Sequence, residues 1–271
     1  MWQKGKEWLE RIWINRPHRI GTVIQTYRIE EILGIGSYGI AYKAVHLPSA
    51  TTYVIKQVKP SLRDTPKGEL LQVYEARVLQ ALDHPAFPKL IERFTDKQNH
   101  YLVMSHMTGI TFEQLLFERQ HGFGERESVA IVKRIAELVM ILHQHHIIHR
   151  DVRIPNVLLD GEKLSIIDFG LARFIGDAPT YTNVSIDSYP EEKQLKRAIS
   201  PTSDLYALGH FLLFLLYSTY ESKEGQPEQS WEEELSLSPA LVGIIRRLLQ
   251  ADQPYASVAE FLLALEAIEL V

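Results

Sequence analysis

The spacing of apolar residues changes near residue 105. Before that point, apolar and polar residues nearly alternate over 27–32, and Thr51–Val58 is rich in β-branched residues, which is typical of strands. After it, apolar residues recur every three or four positions over 128–144 and 239–250, as in helices. The sequence therefore predicts an α+β protein with two lobes. A small β-rich N-terminal lobe covers about 21–104, and a reduced helical C-terminal lobe covers about 110–271, with a connection at about 105–109.

Composition excludes several classes of protein. The chain has 271 residues, of which 45% are apolar, so it can bury a sizeable core. Its 29 Lys plus Arg against 34 Asp plus Glu give a net charge of −5, which disfavours nucleic acid as a partner. Cysteine is absent, so disulfides, thiolate metal sites and cysteine nucleophiles are excluded. The expected location is the reducing cytoplasm.

The two segments that could suggest a membrane or export signal have other interpretations. Residues 205–217 are too short to span a bilayer and are interpreted as a buried helix. Residues 1–20 are too charged for a secretory signal, and we predict that they form an amphipathic N-terminal extension before a domain over 21–271. Its apolar face either packs on the small lobe or lets residues 1–14 contact an anionic membrane. On a helix this face carries Trp2, Trp8, Leu9, Ile12 and Trp13.

Three glycines separate two strand patterns with the spacing G-x-G-x-x-G. They are Gly34, Gly36 and Gly39. In dinucleotide-binding folds a helix follows such glycines, and an acidic residue comes about 20 residues later. Here a strand follows, and the corresponding region reads Gln57-Val58-Lys59. We therefore predict a hairpin turn whose backbone N–H groups approach phosphates, because no side chains intervene.

Lys56 lies within an apolar strand pattern, where an unpaired ammonium group would be costly to desolvate. Glu75 is four residues from both Leu71 and Leu79, so it projects from the apolar face of a helix predicted over 69–82. Glu69 is the alternative partner, but it lies about 200° around the helix from Leu71. The sequence therefore predicts an ion pair between Lys56 and Glu75.

The most specific stretch of the chain begins after the helical pattern 128–144. Strand-like Ile147–Ile148 leads into His149-Arg150-Asp151, and Arg153 and Asn156 follow two and five residues after Asp151. Asp168-Phe169-Gly170 comes twelve residues after Asn156. A single D-F-G is common by chance, but its position after the glycine turn, the lysine and the glutamate is specific.

In this order, these motifs resemble those of the eukaryotic-type (Hanks-type) serine/threonine protein kinases. The resemblance covers about residues 27–265 and is strongest to the short soluble bacterial members, because the C-terminal lobe is reduced. It implies the two-lobed protein-kinase fold, with ATP and Mg²⁺ as cofactors. It also implies phosphoryl transfer to serine or threonine hydroxyls of a protein substrate, together with autophosphorylation.

The resemblance assigns a role to each matching residue. Asp151 would orient the acceptor hydroxyl, and Arg153 would replace the lysine that neutralises the γ-phosphate. Lys56, held by Glu75, would contact the α- and β-phosphates. Two residues would hold magnesium, namely Asn156 and Asp168. The nucleotide would be bound by Lys56 together with Leu33, Gly34, Gly36, Gly39, Ala41, Val54, Met104, Ser105, His106, Met107 and Leu158.

Other positions are implied to support the catalytic loop or depart from the family pattern. Asp204 matches the acid that supports this loop, and Arg150 would pair with a phosphate on Thr180 or Thr182. Tyr255 replaces the arginine expected near the last helices. Because of such departures, a small-molecule kinase of the same fold and a nucleotide-binding pseudokinase remain open alternatives.

Overall fold

The computed structural model describes residues 14–63, 65–177, 190–221 and 229–268. The chain divides into two compact units. Unit 1 extends to Asp83 and includes Phe87–Met107, whereas unit 2 comprises His84–Ala86 and the residues from Thr108 onward. Residues 1–13, which contain most of the predicted amphipathic extension, lie outside the described residues.

Unit 1 is built on a six-stranded antiparallel sheet in the order β1-β2-β3-β4-β6-β5. Strand β4 lies between β3 and β6, so hydrogen bonds hold both of its edges. This places Lys56 on a strand fixed from both sides. The strands are β1 (Val23–Ile24), β2 (Tyr27–Ile35), β3 (Gly39–His46), β4 (Thr51–Val58), β5 (Leu90–Asp96) and β6 (Asn99–Ser105).

One face of this sheet forms the core of unit 1. Ile40 and Tyr42 alternate along β3 and are fully buried, and Ile55 on β4 is buried with them. This is the period of two expected of strands with one buried face. Lys56, one residue after Ile55, projects from the other face.

Helix α1 (Pro66–Gln80) accompanies the sheet of unit 1. It follows a 3₁₀ turn over Pro60–Leu62, and proline occupies its first position, where no N–H donor is needed. The helix predicted over 69–82 is therefore confirmed, with an earlier start.

Unit 2 is mainly helical in its described part. The interior helix is α4, in which Leu208, Leu212 and Leu215 are fully buried, and this confirms the prediction made for 205–217. Among the described residues, no helix combines the length and hydropathy needed to cross a membrane. The helices are α2 (Glu125–Gln144), α3 (Glu191–Arg197), α4 (Pro201–Tyr217), α5 (Trp231–Glu234), α6 (Pro239–Leu248) and α7 (Val258–Glu266).

Short strands in unit 2 carry the predicted catalytic segments. β7 (Ile110–Thr111), β9 (Val157–Asp160) and β10 (Lys163–Ile166) form one small sheet, and β8 (Ile147–Ile148) pairs with β11 (Arg173–Phe174). The segment from His149 to Asn156 therefore joins β8 to β9, and Asp168 follows β10.

Candidate active site

The predicted ion pair of unit 1 forms. Lys56 Nζ on β4 donates a hydrogen bond to Glu75 Oε1 on α1. The Glu75 side chain is 8% exposed and that of Lys56 is 19% exposed, whereas Glu69 faces solvent. The half-buried ammonium group of Lys56 and the buried carboxylate of Glu75 therefore neutralise each other. This confirms the pairing that was predicted because both charges lie in apolar sequence patterns.

Gln72 adds a contact that the sequence analysis missed. Its Nε2 donates to the backbone carbonyls of Lys56 at 3.0 Å and His100 at 3.4 Å. Gln72 is 6% exposed and lies one turn before Glu75 on the same helix face. The spacing of three residues places Gln72 on the helix face of Glu75, but no sequence signal identifies its partners. Gln72 and Glu75 together fasten α1 to β4.

The strand register brings the predicted adenine-side residues together with Lys56. Ala41 is directly opposite Lys56, and Val54 is directly opposite Met104. Directly opposed residues of antiparallel strands share a face, and positions 54 and 56 of one strand do so as well. Lys56, Ala41, Val54 and Met104 therefore lie on one face of the sheet, opposite the core.

The glycine turn joins β2 to β3. Protein packing requires a glycine at position 39 but not at position 34. A Cβ at Gly39 would lie 2.9 Å from the carbonyl oxygen of Gln57, so only glycine permits the close approach of β3 to β4. At Gly34 a Cβ would meet no atom within 4 Å. Protein packing therefore does not require Gly34, and the open space beside it fits the approach of a phosphate. Leu33 beside it is 45% exposed.

The predicted hinge residues Ser105, His106 and Met107 are the last three residues of unit 1. Ser105 N–H donates to the carbonyl of Lys89 at 2.9 Å, and Lys89 N–H donates to Ser105 Oγ at 2.8 Å. Burial lowers the pKa of His106, and this residue is therefore neutral at pH 7. Met107 Sδ lies 3.9 Å from Ser105 Oγ.

In unit 2, the predicted catalytic carboxylate is held by two side chains. Asn156 Nδ2 donates to Asp151 Oδ2 at 2.9 Å and also to the backbone carbonyl of Asp151 at 2.9 Å. Arg153 Nε lies 2.9 Å from Asp151 Oδ1, and the Arg153 side chain is 61% exposed. The Asp151 side chain is 12% exposed, so the carboxylate is fixed in direction but remains accessible.

Asp168 has an unusual backbone conformation. Its φ of 65° and ψ of 76° lie in the left-handed region, and its Oδ1 accepts a hydrogen bond from Gly170 N–H at 3.3 Å. Phe169 is buried, with its ring centroid 4.8 Å from that of His149. Burial lowers the pKa of His149, so this ring packs as a neutral group.

Asp204 on α4 organises the segment before Asp151. It is fully buried, and its carboxylate accepts hydrogen bonds from the backbone N–H groups of His149 at 2.9 Å and Arg150 at 2.7 Å. His143 Nε2 lies 3.0 Å from the same carboxylate. The predicted supporting role of Asp204 thus corresponds to three direct contacts.

Arg150 has partners other than a phosphate. Its guanidinium group donates to the carbonyl of Leu171 at 3.1 Å and to that of Arg197 at 2.5 Å. Thr180 and Thr182, the predicted phosphorylation sites, lie outside the described residues. The pairing of Arg150 with a loop phosphate therefore stays a prediction.

Leu158 and Tyr255 complete the predicted positions. Leu158 on β9 is 7% exposed and pairs with Thr111. Tyr255 is buried, and the Arg247 guanidinium carbon lies 3.7 Å from its ring centroid. Tyr255 therefore makes a cation–π contact with Arg247 at the position where the family pattern has an arginine.

The donor set of unit 2 fits magnesium. Mg²⁺ prefers oxygen ligands and is usually bound by one or two side chains together with substrate phosphates. Asp168 offers a carboxylate, and Asn156 offers its amide oxygen, since its amide nitrogen is used for Asp151. The described residues contain no cluster of three or more His, Asp or Glu that could hold a metal by themselves.

These features define a class of protein. Unit 1 presents an ion-paired lysine and a glycine turn beside open space, and unit 2 presents an accessible carboxylate followed by magnesium-type ligands. A lysine for phosphates, a metal-ligand pair and a lone aspartate are the parts that phosphoryl transfer from a nucleotide requires. The class is that of the nucleotide-dependent phosphotransferases.

Comparison with known proteins identifies the family. The protein kinase domain model matches residues 27–260. The chain is 32% identical over 252 residues to the probable serine/threonine-protein kinase YbdM of Bacillus subtilis, covering 93% of each. It is 31% identical over 244 residues to serine/threonine-protein kinase C of Synechocystis, covering 81% of this chain and 45% of that protein. The crystal structure of the Mycobacterium tuberculosis PknI kinase domain superposes with a TM-score of 0.67 at 21% identity, covering 92% and 99% of the two chains.

The chain therefore belongs to the protein kinase family, and within it to the Hanks-type serine/threonine protein kinases. Its two-lobed α+β fold is that of a protein kinase, as the sequence predicted. As a member of this family, it is an enzyme that uses ATP with Mg²⁺.

Proposed function

We propose that this protein transfers the γ-phosphoryl group of ATP to serine and threonine hydroxyls of protein substrates, and to its own chain. The observation that carries the proposal is the Asp151 carboxylate, held by Asn156 and Arg153 and still accessible. The named relatives, described as serine/threonine-protein kinases, support this choice of acceptor. No observation favours a small-molecule acceptor or a catalytically inactive protein.

The proposed role of unit 1 is to bind the nucleotide. Lys56 neutralises the α- and β-phosphates, and Glu75 holds the ammonium group in position. The backbone of the glycine turn lies over the phosphates, and Ser105, His106 and Met107 contact the adenine. Leu33, Ala41, Val54 and Met104 supply apolar surroundings for the adenine.

The proposed role of unit 2 is to position the acceptor and the metal. Bound Mg·ATP supplies the phosphoryl group and a leaving group whose charge the metal neutralises. Asp151 would accept a hydrogen bond from the acceptor hydroxyl and take its proton while the hydroxyl oxygen bonds to the γ-phosphorus. The bond from that phosphorus to the β–γ bridging oxygen breaks, and ADP leaves with the electron pair. Arg153 places positive charge beside this carboxylate, and Asn156 and Asp168 hold Mg²⁺ through oxygen atoms.

Incubation with γ-labelled ATP, Mg²⁺ and casein as a generic acceptor tests this function. We expect label on casein and on the protein itself, and acid hydrolysis should yield phosphoserine and phosphothreonine. Omission of Mg²⁺ should abolish the transfer, because its charge is needed at the phosphates. Label found only in phosphotyrosine, or no transfer by protein that binds ATP, would contradict the proposal.

The open space at Gly34 allows a test of the phosphate-binding turn. Gly34→Ala is expected to weaken ATP binding about tenfold or more, because the methyl group occupies the space proposed for a phosphate. Folding should not suffer, since no protein atom lies within 4 Å of the new Cβ. Titration calorimetry with a non-hydrolysable ATP analogue gives the affinity, and thermal melting gives the stability. Gly161→Ala is the matched control, since a Cβ there is also free of contacts. Gly161→Ala should have a slightly lower melting temperature, because the backbone φ at this position is 59°, but it should bind ATP with normal affinity.

A further inference from the structure

Residues 14–20, called the N-terminal segment here, are bound to three elements of unit 1. Asn15 Oδ1 accepts a hydrogen bond from Ser61 N–H, in the 3₁₀ turn, at 3.0 Å. His18 N–H donates to Tyr42 Oη on β3 at 3.0 Å, and His18 Nε2 lies 2.9 Å from Tyr101 Oη on β6. The side chains of Asn15 and His18 and the backbone of His18 thus fasten the N-terminal segment.

Tyr42 connects the N-terminal segment to β4. Its fully buried hydroxyl donates to Gln57 Oε1 at 2.9 Å, and Gln57 is 2% exposed. Burial raises the pKa of Tyr42 to about 12, so the hydroxyl keeps its proton for this bond at neutral pH. Successive side chains on a strand point to opposite faces, so Gln57 holds β4 from the face opposite Lys56.

The 3₁₀ turn connects the N-terminal segment to α1. A Cβ at Gly68, in the first turn of α1, would lie 2.7 Å from the carbonyl oxygen of Leu62 and 2.6 Å from Val58 Cγ1. The helix therefore packs directly against the turn and the end of β4. A displacement of the turn must displace the start of α1, and Glu75 lies two helical turns further along.

We propose that the N-terminal segment is a positioning element for the phosphate-binding lysine. Asn15 fixes the turn on which α1 rests. The His18 backbone holds Tyr42, and the His18 side chain holds Tyr101, which lies directly opposite Gln57 of β4. Both contacts fix the back of β4, so that Glu75 and Lys56 remain paired. Neither residue contacts the ion pair directly, so both are positioning residues. The inference rests on the role proposed above for Lys56.

Paired variants of the full chain test this inference. Asn15→Ala removes the acceptor for Ser61 N–H, whereas Asn15→Asp keeps an acceptor oxygen in the same place. Likewise, His18→Ala removes the contact with Tyr101, and His18→Gln keeps a polar atom near the Nε2 position. We expect each alanine variant to lower kcat/KM for ATP about five- to tenfold, with casein as acceptor. Asn15→Asp and His18→Gln should stay within about twofold of the wild type.

Tyr27→Phe is the control for a merely structural effect. It removes the hydrogen bond from Tyr27 to Glu92 of β5 in the same aromatic core, and it leaves the hydrogen bonds to Gln57 and to the turn in place. It should lower the melting temperature while leaving kcat/KM within about twofold. The inference would be overturned if Tyr27→Phe reduced kcat/KM as much as the alanine variants did at a similar loss of stability. Unchanged kcat/KM in both alanine variants would also overturn it.

A double-variant cycle separates this inference from the proposed function. In a Glu75→Gln background the ion pair is already weakened, so adding Asn15→Ala should reduce kcat/KM by less than about twofold further. A full five- to tenfold further loss would show that Asn15 acts independently of the pair, and would overturn the inference alone. Wild-type transfer by Lys56→Ala would instead overturn the proposed function.

Discussion

Asp151→Asn is expected to lower the rate of phosphoryl transfer by about 10²- to 10⁴-fold. The amide has nearly the shape of the carboxylate, and its oxygen still accepts the hydrogen bond from Asn156 Nδ2. It does not accept a proton from the attacking hydroxyl, and it loses its charge attraction to Arg153. Initial rates with labelled ATP measure the loss. Titration with an ATP analogue should give a near-normal affinity, because the phosphate-binding groups of unit 1 are unchanged.

Asp160→Asn is the matched control for this substitution. Asp160 ends β9 of the same unit, and its carboxylate accepts a hydrogen bond from Thr108 Oγ1 at 2.5 Å. The same chemical change there should leave the transfer rate within about twofold of the wild type. Transfer by Asp151→Asn at the rate of this control would mean that the loop containing Asp151 is not catalytic.

The Lys56–Glu75 contact was predictable because each residue conflicts with its local pattern. An ammonium group in an apolar strand and a carboxylate on the apolar face of a helix both need a partner. Sequence periodicity, together with the motifs that follow in the chain, therefore identified two residues 19 positions apart as neighbours. Gln72 produces no such conflict, since an uncharged amide is tolerated on either face, and its contact with Lys56 was visible only in the structure.

Strand β5 shows why part of the fold was not predictable. Most of its side chains are exposed or half-buried, so it lacks the alternation that marks a strand with one buried face. Its hairpin with β6 turns through Lys97 and Gln98, which both have positive φ. Such turns usually contain asparagine or glycine, and neither residue is present at these two positions. Pairing with β6 overrides the weak local signal.

The same limit applies around the catalytic segment. Arg150 and Asp168 both have positive φ, with values of 66° and 65°, although neither is glycine. Such conformations cost energy and persist only when surrounding contacts enforce them. The resemblance identified both residues, and it identified Asp204 as the acid that supports the loop. The hydrogen bond by which Asp204 holds the backbone of Arg150, 54 residues earlier, was visible only in the structure.

Asp204→Ala is expected to lower the free energy of unfolding of the protein by about 3–5 kcal/mol. The substitution leaves the backbone N–H groups of His149 and Arg150 without their acceptor in the buried interior. It also removes the partner of His143 Nε2. Chemical denaturation monitored by tryptophan fluorescence measures the change. Asp252→Ala is the control: this aspartate is exposed and paired with Arg246, so its loss should have a much smaller effect.

The comparison with Asp204→Asn distinguishes lost hydrogen bonds from lost volume. The asparagine retains one acceptor oxygen and nearly the full size, but its NH₂ group must face at least one of the three donors that now contact the carboxylate. Its loss of stability should therefore be intermediate. Phosphoryl transfer should fall in both variants, because the backbone of His149 and Arg150, directly before Asp151, loses at least one of the hydrogen bonds that hold it. If Asp204→Ala were as stable as the wild type, or Asp204→Asn kept full activity, Asp204 would not be the residue that fixes the catalytic segment.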